Sequence, residues 1–279
     1  MTFKTILVHL DHTDRCATRV VLAARLARTH ESHLVGLLPT GLQDGVIPAS
    51  AIPTGATDFI AESAEYLRRR AEEIRAVFKD ATTGPGPLSC EVREVDGATA
   101  AAVIHHGRAS DLIVVGQGDR DRPADTLVHE LAQQAMFESG RPVLIVPFAG
   151  TFEEPPRHAL VAWDGSREAA VAMRAALPLL QRATRVTLLS LRRPEAAPDP
   201  RLLVPETTHW LLRHGIQATA ADDVTEIPIT DALLDRVSDM GADLVVMGGY
   251  GHSRVRELML GGVTREMLAQ MTVPVLMMK

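Results

Sequence analysis

Two tandem α/β domains, each a doubly wound sheet of five parallel strands with helices on both faces, are predicted by three features of the chain. Short apolar runs rich in Val, Ile and Leu alternate with longer stretches whose apolar residues recur three and four apart. That alternation is the signature of a parallel sheet covered on both sides. The strand-like runs also recur in the same order. Ile6-Leu7-Val8-His9-Leu10-Asp11 is echoed by Ala159-Leu160-Val161-Ala162-Trp163-Asp164, Asp111-Leu112-Ile113-Val114-Val115-Gly116 by Asp243-Leu244-Val245-Val246-Met247-Gly248, and Pro142-Val143-Leu144-Ile145-Val146 by Pro274-Val275-Leu276-Met277-Met278. Matched segments in a fixed order mean one unit written twice. Finally, 279 residues with 46% hydrophobic content can bury two ordinary cores.

Asp164 stands 153 positions after Asp11, whereas Gly248 and Pro274 stand 132 after Gly116 and Pro142, so the second copy lacks 21 residues after its first strand. The cut falls near Pro155-Pro156, behind the polar linker Gly150-Thr151-Phe152-Glu153-Glu154, giving domains 1–150 and 156–279.

In the first copy the strand Ile6 to Leu10 precedes a helix carrying Val20, Val21, Ala24 and Leu26, and a second strand covers His33 to Leu38. Leu42 to Thr57, with Pro48, Pro53 and Gly55, reads as a loop. From Asp58 to Phe78 the spacing of Phe59, Ile60, Ala64, Leu67, Ala71, Ile74 and Phe78 predicts an amphipathic helix with Arg68 to Arg70, Glu72 and Glu73 outward. The strand Ser89 to Val95, a helix from Ala98 to His106, the strand Leu112 to Val115, a helix from Ala124 to Phe137 and the strand Val143 to Val146 complete the copy. The second copy offers strands at Leu160 to Trp163, Val186 to Leu191, a weak one at Gln217 to Ala221, Leu244 to Met247 and Val275 to Met278. Its shortened middle leaves only Pro205 to His214 for a helix there.

In such sheets ligands lie beyond the carboxyl ends of the strands where the winding reverses. That directs attention to Asp164-Gly165-Ser166 and to Gly248-Gly249-Tyr250-Gly251, which runs on through His252, Arg254 and Arg256 to Gly261-Gly262-Val263-Thr264. Glycines let backbone approach a phosphate, and free N–H groups at a helix start favour negative charge. A tight strand-to-helix turn needs glycine for geometry alone, Arg254 and Arg256 are ordinary surface charges, Asp164 and Ser166 make a capped turn, and Thr264 is a helix starter; those readings stand beside the ligand reading.

The spacing Gly248-x2-Gly251-x9-Gly261, with Asp164 after the first strand and the duplicated plan, resembles the universal stress protein family in its tandem form, from Thr2 to Lys279. The resemblance implies a Rossmann-like fold and an adenine nucleotide, ATP with magnesium, in the second copy. Asp164 would contact the nucleoside, Leu191 would lie near adenine, Gly248 near ribose, and Gly251, Gly261, Gly262 and Val263 around the phosphates, with Thr264 offering a hydroxyl. One position departs: the family pattern has Ser or Thr where this chain has Gly262. The loss of a hydroxyl bond to phosphate, worth about 1.5–3 kcal/mol, lowers affinity roughly ten- to a hundredfold. The first copy departs further. It keeps Asp11, but Gly116-Gln117-Gly118 is followed by Asp119 and Asp121, which repel phosphate, and no glycine matches Gly261. Its nucleotide motif is degenerate, and a structural or pairing role is expected.

A formal net charge of −6 with dispersed Lys and Arg argues against nucleic acid. No apolar run approaches the roughly 20 residues that span a bilayer, so no membrane partner is expected and the cytoplasm is the expected location. Cys16 and Cys90 read as small apolar residues. Eleven histidines, His9 and His12 beside Asp11 and the adjacent His105 and His106 among them, show no metal-ligand spacing, so no metal site is expected. No nucleophile elbow or catalytic carboxylate pair is present, and no catalytic residue is named. The family acts by regulation and association, with slow ATP hydrolysis at most, through pairing of last strands within the chain or in a homodimer. The rival reading is an interaction module with a vestigial glycine loop.

Overall fold

The computed structural model describes residues 2–39, 56–118, 126–195, 199, 202–250 and 262–279, of which 56–67 and 126–129 are described by backbone alone. The loop read between Leu42 and Thr57 lies almost wholly outside the described residues. In chain order the elements are β1 (Thr5–His9), α1 (Cys16–His30), β2 (His33–Pro39), α2 (Ala56–Thr82), β3 (Cys90–Val95), α3 (Thr99–Gly107), β4 (Leu112–Gly116), α4 (Thr126–Glu138) and β5 (Val143–Val146). The second copy gives β6 (His158–Ala162), α5 (Arg167–Ala175), α6 (Leu177–Leu180), β7 (Arg185–Arg192), α7 (Val204–Arg213), β8 (Ala218–Val224), α8 (Ile229–Met240), β9 (Leu244–Gly248), α9 (Gly262–Gln270) and β10 (Val275–Met278). The architecture is mixed α/β with largely parallel sheets, as the alternating pattern predicts.

The chain divides into two compact units. One is Thr2–Arg141 with Thr151–Pro155, and its strands run in the order β3-β2-β1-β4, all parallel. The other is Pro142–Gly150 with Pro156–Lys279, in the order β5-β10-β9-β6-β7-β8. Here β5, the last strand of the first copy, pairs antiparallel with β10, Leu144 opposite Leu276, while the remaining strands are parallel. Two apolar strands that would be an aggregation hazard as bare edges thus use each other's backbone groups.

The inner strands β1, β4 and β9 are buried along almost their whole length because helices cover both faces. Edge strands are different. β8 carries Asp222 and Asp223, held by Arg192 at 3.7 Å and Arg236 at 2.6 Å, and continues to Val224, beyond the weak strand read from the sequence. Charges on an edge discourage pairing with another chain. On α2, Ala71, Ile74 and Phe78 are buried and Arg68, Arg69, Glu72 and Glu73 exposed, as the spacing predicts. Gly36 in the middle of β2 makes room for Phe78: a Cβ there would sit 2.7 Å from its ring.

The aspartate that heads the repeated fourth-strand motif has a structural task in both copies. Asp111 Oδ2 accepts from the N–H of Lys4 and Thr5 at 2.7 and 3.0 Å, and Asp243 accepts from the N–H of Arg157 and His158. Each carboxylate fixes the start of its copy's first strand beside the fourth.

Candidate functional site

In the second unit the winding reverses between β6 and β9, which are paired through Val161 and Val246. Just past β6, Asp164 Oδ1 accepts the N–H of Ser166 at 2.9 Å across Gly165, whose φ of +71° suits glycine. Ser166 then caps α5, its hydroxyl accepting from Ala169 N–H at 3.1 Å. Ser166 N–H is the carboxylate's partner among the described residues, and Asp164 remains exposed, able to accept further hydrogen bonds from hydroxyl or amino groups. Trp163, immediately before it, is buried and donates through Nε1 to the carbonyl of Leu202 at 2.6 Å.

Gly248 ends β9 where α5 begins. A Cβ at Gly248 would lie 2.6 Å from Ala169 N and 2.7 Å from Glu168 C, so close approach of helix backbone already requires glycine there. Two residues on, Tyr250 holds φ of +55° and donates its N–H to Thr264 Oγ1 at 3.1 Å. Gly249 N–H is taken by the carbonyl of Met278. Thr264, buried in the first turn of α9, therefore anchors the turn that leaves β9, a task for its hydroxyl beyond starting a helix.

At the start of α9, Gly262 and Val263 are exposed, no acidic residue stands in the first turn, and among the described residues a Cβ on Gly262 would meet Glu266 Oε1 at 3.6 Å. Glu266, one turn in, accepts from the buried Thr230 hydroxyl at 2.9 Å and joins α9 to α8. Such a helix start suits an anion, and Asp164 suits a hydrogen-bond donor. Leu191 lies half-buried near the end of β7, opposite Asp223. Gly251 and Gly261 lie outside the described residues, as do His252, Arg254 and Arg256.

The first unit repeats the turn and changes its surroundings. Asp11 Oδ1 accepts from the N–H and hydroxyl of Thr13 at 3.0 and 2.6 Å, matching Asp164 and Ser166. Its other oxygen, however, forms a 2.8 Å ion pair with Nη2 of Arg19, a residue only 1% exposed. Arg19 Nε donates to the carbonyl of His9, and its guanidinium fills the space beside Gly116, where a Cβ would sit 2.5 Å from Nη1. Burial alone would raise the Asp11 carboxyl, but the Arg19 and His9 charges and the Thr13 hydroxyl outweigh it and hold the group well below the usual carboxylate range. Burial disfavours the Arg19 charge too, and Asp11 more than restores it. Sequence reasoning passed over Arg19. The signal was its place in the inward stripe of α1, where the repeat offset sets Ala172 in the second copy. Asp119 and Asp121 lie outside the described residues.

Among the described residues no three His, Cys, Asp or Glu gather as a metal site. His9 Nδ1 lies 3.7 Å from Asp11, and the rings of His105 and His106 meet edge to face at 5.4 Å. Cys16 is buried, but Cys90 is exposed at the start of the edge strand β3, unlike the small apolar core residue expected from its type. No helix among the described residues is long and apolar enough to cross a membrane.

The model of the universal stress protein family matches twice, over residues 2–147 and 156–279. Among solved structures, a universal stress protein from Archaeoglobus fulgidus DSM 4304 superposes with a TM-score of 0.73 at 17% identity, over 99% of this chain and 96% of that one. A putative universal stress protein from Pseudomonas aeruginosa UCBPP-PA14 gives a TM-score of 0.56 at 15% identity, over 99% and 93%. At such identities the likeness is one of fold. No curated protein matches the chain. On the two family matches, which together span nearly all of its length, the chain belongs to the universal stress protein family and carries that family's domain twice.

Proposed function

We propose that the chain is a stress-response protein that binds an adenine nucleotide, ATP with magnesium carried on its phosphates, in the second unit, and acts in the cytoplasm by regulation or association with protein partners rather than by turnover. The observation that carries this reading is the contrast between two equivalent carboxylates. Asp164 is exposed at the reversal between β6 and β9, with one backbone N–H as its partner among the described residues, whereas Asp11 is sealed against Arg19. In the same unit, the exposed helix start at Gly262 and Val263, with no acidic residue in its first turn, suits phosphate.

The test is to denature the purified protein and identify any released small molecule, then to titrate ATP while following tryptophan fluorescence and thermal stability. ATP released from the parent, and an affinity lowered about tenfold or more in Asp164→Asn, supports the reading. No released nucleotide and no thermal shift with millimolar ATP overturns it. A second reading, an interaction module with a vestigial loop, draws on Gly248, whose lack of a side chain packing already explains, and on Gly262, which brings no hydroxyl to a phosphate.

A further inference from the structure

We propose that the first unit is self-occupied: the guanidinium of Arg19 is a permanent internal ligand at the reversal between β1 and β4, filling from within the place where a doubly wound sheet would receive a molecule from outside. Three contacts carry this. Arg19 pairs with Asp11, the residue at the mouth of β1; it donates to the carbonyl of His9, the last residue of β1; and it fills the space beside Gly116, the last residue of β4. β1 and β4 are neighbours in the order β3-β2-β1-β4, so they are the strands between which the winding turns back. The guanidinium therefore meets the carboxyl ends of both strands at the reversal, and its side chain is among the largest that are fully buried.

The second unit shows what the same place looks like without it. Ala172 stands at the offset of Arg19, Gly248 packs on the backbone of α5 instead of on a guanidinium, and Asp164 is exposed. A buried cation at one of two equivalent places is costly unless its partner is equally fixed, and Asp11 is fixed by Thr13. The receptor is thus Asp11 with the His9 carbonyl, and its ligand class is a planar cation with several N–H donors, which the chain supplies itself. This inference is independent of nucleotide binding in the second unit.

Removing the tether tests it. In the full-length chain, Arg19→Ala leaves a guanidinium-sized hole beside a buried carboxylate, and N-ethylguanidinium should enter it. We expect Arg19→Ala to lower Tm by about 6 °C or more, and millimolar N-ethylguanidinium to recover roughly 2–4 °C of that. Tetraethylammonium, a cation without N–H groups, should recover nothing, the parent should respond to neither salt, and Asp11→Asn with Arg19→Ala should lose the recovery. If Arg19→Ala does not fold alone, the same comparison is read as refolding yield with and without N-ethylguanidinium. An Arg19→Ala protein as stable as the parent, a recovery that survives Asp11→Asn or is matched by tetraethylammonium, or a refolding yield indifferent to the guanidinium overturns the proposal.

Discussion

The backbone N–H of Tyr250 donates to Thr264 Oγ1 across 3.1 Å, and this bond ties a left-handed residue just past β9 to the first turn of α9. A non-glycine residue at positive φ costs about 1 kcal/mol or more and persists where its surroundings hold it. Thr264→Val keeps the shape and removes the acceptor. It should lower stability by about 1–2 kcal/mol in urea unfolding and weaken ATP binding, while Thr264→Ser restores both. Equal ATP affinity in the Val and Ser variants would show that the anchor does not shape the site.

The two glycines that end β4 and β9 answer to different neighbours, and this separates their alanine variants. At Gly248 the obstacle is the backbone of Glu168 and Ala169, which cannot turn aside; at Gly116 it is the end of the Arg19 side chain. Gly248→Ala should cost about 2–3 kcal/mol and Gly116→Ala about 1 kcal/mol. The second cost depends on Arg19, so Gly116→Ala and Arg19→Ala should be non-additive by roughly 1 kcal/mol in a double-mutant cycle. Additive costs would mean that Gly116 is needed for some other reason.

Two buried groups set the acid side of stability, and both act with the same sign. The Asp11 carboxyl titrates lower in the folded chain than in the unfolded one, so its contribution is complete above about pH 4 and is lost progressively as pH falls below that value toward the lower folded-state titration. His158, the buried first residue of β6, is also depressed, by burial first and then by Arg185. Its Nε2 lies 2.9 Å from the Thr187 hydroxyl and its Nδ1 3.1 Å from the Met240 carbonyl, an arrangement suited to the neutral ring. The unfolded chain therefore takes up this proton first, and stability should decline as pH falls below about 6.5. Urea midpoints across this range should show both steps; His158→Gln should flatten the upper one and leave the lower.

How much of this was readable in the sequence depended on what each residue faces. Leu112 to Gly116 and Leu244 to Gly248 announce themselves because strands buried on both faces need unbroken apolar runs. The end of β8 did not, since Asp222 and Asp223 are what an edge strand carries and what a loop carries. Nothing in the composition of Val143 to Val146 says that it will lie antiparallel to β10, because pairing partners leave no mark on periodicity. Arg19 was the costliest omission: an arginine is solvated by default, and only the alanine at the matching place in the other copy hints that it points inward.

Gly262 separates the nucleotide reading from its rival most directly. It is the first residue of α9, it is exposed, and among the described residues the nearest neighbour to an added Cβ is Glu266 Oε1 at 3.6 Å, an ordinary contact. Gly262→Ser should therefore fold as the parent does, with stability unchanged or raised by up to about 1 kcal/mol as a glycine leaves a helix turn. If phosphate sits at this helix start, the new hydroxyl should tighten ATP by about tenfold, and Gly262→Ala, which gains the same helix preference without the hydroxyl, should not. Isothermal titration of the three proteins decides it. Tightening in both variants would point to a stiffer helix start, and tightening in neither would place the phosphates elsewhere.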